Sequence, residues 1–149
     1  MNPNIKASDQ ARIVGVIDPD ATAAGAVSTG WIAAADFANF EAIAMAGTLG
    51  TNATFDAKLE QATNSSGAGV KDISGKAITQ LTQAGTDESD QQAVINLRPD
   101  ELDTTNSFTH FRLTITVGTA TSDAGGIVIA TDPRYSNVAD ATTVAEIVD

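Results

Sequence analysis

The sequence contains no cysteine, a single histidine, one tryptophan and one tyrosine. Without cysteine there is no disulfide framework and no thiolate metal site. One histidine, His110, leaves little for metal ligation or for a Ser-His hydrolase, which needs an imidazole beside a nucleophile. No Gly-x-Ser-x-Gly elbow and no glycine-rich loop followed by Lys-Ser/Thr is present, so neither acyl transfer nor phosphate cradling is indicated. Cations are also scarce: eight Lys and Arg against nineteen Asp and Glu give a formal net charge of −11. The eight are scattered from Lys6 to Arg134. Direct nucleic-acid binding depends on clustered cations, so it is not expected, and neither is attachment to an anionic membrane. No apolar run approaches the roughly 20 residues of a membrane span, and no signal-peptide pattern opens the chain, so a soluble protein is expected.

What is present is small and β-prone. The 149 residues suit one domain, and 42% are hydrophobic while 18% are charged. Val, Ile and Thr among Ala, Gly, Ser and Asn fit short strands joined by small-residue turns. Arg12 to Ile17 reads as a strand stopped by Asp18-Pro19-Asp20, followed by a small, flexible stretch over 21–30. Trp31-Ile32 belongs to a core or an interface, and alanines at 33, 34, 35 and 38 tolerate a helical turn. Phe40 to Ala46 is an apolar run compatible with a buried strand. Ala53 to Glu60 alternates, with Ala53, Phe55, Ala57 and Leu59 on one face, and pairs with the preceding run as a candidate hairpin.

Further along, 70–90 is sparse in apolar residues, and Ala93 to Leu97 is a strand ended by Arg98-Pro99. Phe108 to Val117 gives the clearest alternation, with Phe111, Leu113, Ile115 and Val117 inward and His110, Arg112, Thr114 and Thr116 outward. Residues 118–126 read as a turn and Ile127 to Ala130 as a final buried strand. Strands about ten residues apart, with no helical crossovers, indicate an all-β, jelly-roll-like β-sandwich over 13–132. It is flanked by extended N- and C-terminal arms, 1–12 and 133–149. Two acidic patches, 18–20 and 87–90, lack the spacing of a calcium loop and read as turns. No cofactor is implied, and catalysis finds no support.

The order of elements from about Gly30 onward resembles the small cement, or head decoration, proteins of tailed bacteriophages. The resemblance lies in the strand at 40–46, then Gly-Thr-Leu-Gly-Thr-Asn-Ala-Thr-Phe-Asp-Ala-Lys-Leu-Glu-Gln-Ala at 47–62. It continues with Val70-Lys71-Asp72-Ile73-Ser74-Gly75-Lys76-Ala77-Ile78, Phe111 to Val117, and the apolar strand ending in Pro133-Arg134-Tyr135. Where that family often has Glu-Ser-Asp-Asp-Gly, this chain has Gln61 to Gly67. The resemblance implies a non-enzymatic jelly roll on the outer surface of the virion, binding the major capsid protein and bridging its subunits. It also implies a homo-oligomer, with a dimer favoured over a trimer. Candidate subunit contacts are Ile5, Lys6, Arg12, Trp31, Pro133, Arg134, Tyr135, Val144, Ile147 and Val148. A C-terminal run this poor in apolar residues docks either on its own domain or on a neighbour. Two alternatives stand beside the cement reading: a β-sandwich tail or neck protein, and a carbohydrate-binding module.

Overall fold

The computed structural model describes residues 4–135 and 138–148. It is an all-β sandwich of two antiparallel sheets. The strands are β1 (Ala11–Thr22), β2 (Gly25–Ser28), β3 (Ile32–Ala33), β4 (Phe37–Ala46), β5 (Thr54–Ala62), β6 (Lys71–Ala77), β7 (Leu81–Thr82), β8 (Gln92–Leu97), β9 (His110–Gly118) and β10 (Ser122–Pro133). One short helix, α1 (Ala7–Gln10), precedes them.

The first sheet runs β1-β10-β4-β8 and the second β2-β9-β5-β6, with β3 beside β9 and β7 beside β5. Setting aside the two-residue strands β3 and β7, the earliest strand pairs with the latest, β1 with β10. The next inward is β2 with β9, then β4 with β8, and innermost β5 with β6. That nesting is one long antiparallel ribbon rolled into two sheets, which is jelly-roll topology.

Period-two alternation explains why the ribbon rolls. Phe55, Ala57 and Leu59 on β5, and Phe111, Leu113, Ile115 and Val117 on β9, are buried on one face of the second sheet. Opposite them, the first sheet contributes Phe40, Ala42, Ala44 and Ala46 on β4 and Val128 and Ala130 on β10. Small alanines facing large side chains let the layers interdigitate. Phe40 meets Phe111 edge-on, with ring centroids 4.7 Å apart.

Several sequence expectations change. The runs at 40–46 and 53–60 are not a hairpin: β4 pairs with β10 and β8, and β5 with β9, β6 and β7. Residues 47–53 carry the chain between sheets, which lie about 10 Å apart. Alternation tells which side of a strand is buried but not which strand lies beside it.

Asp18-Pro19-Asp20 does not end the first strand either. It sits inside β1 at a register shift between Ile17 and Asp20, and a bulge on an edge strand is where a sheet tolerates proline. The expected flexible stretch 21–30 holds the end of β1 and all of β2. The expected turn at 118–126 shrinks to the residues between β9 and β10, because β10 begins at Ser122. In the N-terminal segment, residues 7–10 form α1, while Ala11 and Arg12 pair with Thr131 and Ala130. The alanine-rich 33–38 region contains a single 3-10 turn, Ala34–Asp36.

Candidate functional site

A sheet in a sandwich has one face on the core and one outward, and outward positions are ordinarily polar. The first sheet departs from that rule. The register places Val16 opposite Ile127, Ile127 opposite Ile43, and Ile43 opposite Val94. These four form a row of branched apolar side chains across every strand of the sheet, on its outer side. Ile13 and Ile129 face each other one step along. Met45, between Gly125 and Gln92, lies on the opposite side of the row. Val94 is 52% exposed, and Val16, Ile43, Met45, Ile127 and Ile129 are all partly exposed.

At the Met45 end the face dips into a shallow concavity lined by Pro19, Met45 and Gly125 together with Asp20, Asp90 and Asp123. Pro19 crosses so close to Gly125 that a Cβ there would lie 3.0 Å from the proline Cα. A side chain at position 125 would therefore push the β1 bulge away. The three carboxylates are exposed. Ion pairs form elsewhere, on Arg12, Lys58, Lys71, Lys76, Arg98 and Arg112. No lysine or arginine occurs anywhere in β4, β8 or β10. Lys76 reaches the Asn96 carbonyl at 2.8 Å and is paired with Glu101 at 2.8 Å.

The outer face of the second sheet has the opposite character. Glu60 accepts from Arg112 Nε and from Thr114 Oγ1, each at 2.8 Å, and Lys58 Nζ stands 3.2 Å away. Lys58 also donates to Asp72 at 2.6 Å. Burial opposes ionisation of Glu60, but hydrogen bonds from Thr114, Arg112 and Lys58 outweigh it and hold the carboxyl below the usual glutamate range. The hydrogen bond to Asp72 is the main reason Lys58 is held above its ordinary value. The Arg112 guanidinium stacks 4.6 Å from the Trp31 ring. Gly67, at φ +80°, lies against the ring edge, where a Cβ would come 2.6 Å from Nε1. This face satisfies its own charges.

The sequence-derived contact candidates are spread over several places. Trp31 belongs to this second face. Arg12 is in β1, donates to the Val138 carbonyl at 3.1 Å, is hydrogen-bonded to the Ser8 carbonyl, and pairs with Asp140 at 3.6 Å. Ile13 donates to Asp140 Oδ1 at 2.8 Å and accepts from Ala141 N at 2.6 Å. Val138 packs against the core. The C-terminal run over 138–141 therefore lies along the free edge of its own β1, which blunts that edge. Arg12, Val144 and Ile147 line one groove with Ile13 and Ile129, so the tail borders the apolar face. Pro133 ends β10 opposite Phe37, and Arg134 N donates to the Asp36 carbonyl at 2.8 Å. Ile5, Tyr135, Ile147 and Val148 are 45, 61, 51 and 84% exposed, and Lys6 is exposed at the start of α1. His110 is half-buried with Nδ1 2.9 Å from Thr109 Oγ1. Of the acidic patches, Asp87 takes both hydrogen bonds of Ser89, and Glu88 accepts from Thr82 N.

The residues of the apolar row were not singled out by sequence reasoning. The signal was there: β4 and β10 are apolar at consecutive positions, the pattern of strands covered on both faces.

Comparison with known proteins finds no matching family model and no matching curated protein. Solved structures similar to this chain include that of infectious bursal disease virus Gt strain, with TM-score 0.44 and 8% identity, covering 88% of this chain and 37% of that one. The structure of infectious bursal disease virus Gx strain gives TM-score 0.44 and 13% identity, covering 91% and 38%. The structure of Broad Bean Stain Virus gives TM-score 0.47 and 10% identity, covering all of this chain and 97% of that one. The chain thus spans little more than a third of the two infectious bursal disease virus chains.

Proposed function

We propose that the protein is a structural component of a virion that binds the outside of a phage capsid and ties neighbouring major capsid subunits together. The observation that carries this reading is the outer face of the first sheet, where Val16, Ile127, Ile43 and Val94 form an apolar row across four strands. Such a face on a jelly roll calls for a protein surface to cover it. The resemblance of the 30–149 element order to cement proteins supplies the identity of that surface. Exposed Ile5, Tyr135, Ile147 and Val148 at the chain ends suit contacts to a second subunit or to a sister copy. A lattice that repeats one epitope rewards a protein with two such patches through avidity.

The tail or neck reading uses the same face and differs in position on the particle. The carbohydrate reading is disfavoured by Trp31, whose ring is covered by Arg112 and Gly67. Cryo-electron microscopy of purified particles tests the proposal. The expected result is density at regularly repeated positions over the shell, with the first sheet turned toward the capsid. Density confined to one vertex or the tail, or none, would overturn it.

A further inference from the structure

Resting on the reading of the first sheet as a contact face, we infer that the face takes a partner segment that presents apolar side chains beside lysine or arginine, and not a second copy of this chain. Charge complementarity carries the inference. The row Val16–Ile127–Ile43–Val94 ends, at Met45, in a concavity ringed by the exposed carboxylates of Asp20, Asp90 and Asp123. Glu41 lies on the same outer side between Ile129 and Asn96. Asp132 lies at the far end of β10, where it accepts from Asn39. The rim is therefore acidic at the Met45 end, while at the other end carboxylates stand beside Lys76 and Arg98, which are paired with Glu101 and Asp100. β4, β8 and β10 carry no lysine or arginine, and the cations at the borders of the face are paired with other carboxylates, Arg12 of β1 with Asp140, Lys76 with Glu101 and Arg98 with Asp100.

A two-fold pairing of identical faces would bring the row against itself, since an isologous contact uses the same patch twice. Such a pairing would set the unpaired carboxylates of one copy against an acidic face whose bordering cations are already paired, and like charges facing each other across an interface oppose association. The net charge of −11 on each copy adds to that repulsion. A segment with two or three apolar side chains fills the row, and its flanking cations meet Asp20, Asp90 and Asp123. A rim of this kind also raises the association rate of a basic segment at low salt.

The experiment uses the full chain, labelled with nitrogen-15, and two synthetic probes: a ten-residue peptide of alternating leucine and lysine, and its counterpart of leucine and glutamate. The lysine peptide is expected to shift amides at Ile43, Met45, Val94 and Ile127 while leaving Lys58, Glu60 and Arg112 in place. Its affinity should fall at least tenfold in Val94→Asp and in the double variant D90K/D123K, and should fall as salt rises. The glutamate peptide should produce no shift. The chain alone should sediment as a species whose size Val94→Asp does not change. Shifts spread over the second sheet, equal binding of both peptides, or an oligomer that Val94→Asp dissociates would each overturn the inference. Particle binding separates this from the cement reading. If the native chain fails to bind shells, that reading fails while the peptide result stands. If shells bind native chain, Val94→Asp and D90K/D123K equally well, the inference fails and the cement reading survives.

Discussion

The two outer faces of this sandwich are made by the same alternation and have opposite chemistry. On the second sheet the outward residues of β5 and β9 are Lys58, Glu60, Arg112 and Thr114, and they satisfy one another. On the first sheet the outward residues of β10 and β4 include Ile127, Ile129, Ile43 and Met45 alongside Glu41 and Asp123, with Val94 exposed beside them. A sheet face closed by its own ion pairs is finished as it stands. A face of aliphatic side chains leaves apolar area in water at a cost of roughly 25 cal/mol per Å2, which a covering surface recovers. One face thus serves the stability of the fold, and the other is available for contact.

The contrast yields graded predictions. The largest effect belongs to the core both faces share: Leu113→Ala, at a fully buried site, should cost about 2–5 kcal/mol in denaturant titration. A loss below about 0.5 kcal/mol would show that the layers are not packed as described. Next comes the closed face. Glu60→Ala leaves buried Thr114 and the Arg112 guanidinium without their shared acceptor, and should cost about 1–3 kcal/mol. An unchanged midpoint would mean that the network is decoration.

Acid should probe the same face. The Glu60 carboxyl is held below its ordinary range in the folded protein, so its contribution is fully present above the unfolded value of about 4.3. It is lost as pH falls through the lower, folded value. Lys58 is shifted upward, and its contribution is lost only as pH rises through that raised value. Thermal melts of native chain and Glu60→Gln should therefore diverge above pH 5 and converge in acid. Curves that stay parallel into acid would contradict the assignment. The smallest effect on stability belongs to the open face: Val94→Asp, on an exposed edge-strand position, should change stability by less than about 1 kcal/mol. A larger loss would mean that Val94 is part of the fold's own packing.

The architecture was legible because period-two alternation is strict where it matters. Phe55, Ala57 and Leu59 and Phe111, Leu113, Ile115 and Val117 are inward as their spacing requires. Strand pairing was not legible, and the β4–β5 hairpin expectation shows why: alternation is local, whereas partners are chosen by how the whole ribbon rolls. Pro19 misled for a related reason, since proline ends a strand unless the strand is an edge with a bulge. The open face was encoded in the continuous apolar runs of β4 and β10, but a buried strand and a strand awaiting a partner read alike. For Arg12 and Val138 the sequence showed too little apolar mass to say where the tail lies. The structure places 138–141 on β1 through backbone hydrogen bonds and the Asp140 carboxylate, groups that carry no hydrophobic signal.

The central claim is that the first sheet's outer face, and not the second's, makes the functional contact. Occupancy of purified capsids by Val94→Asp and by Thr116→Lys, each compared with native chain at equal concentration, tests it directly. Thr116 faces outward on β9 opposite Asp56, so its substitution alters only the closed face. The account predicts at least a tenfold loss of occupancy for Val94→Asp and native occupancy for Thr116→Lys, with both variants folded. Native occupancy for Val94→Asp with loss for Thr116→Lys would contradict it.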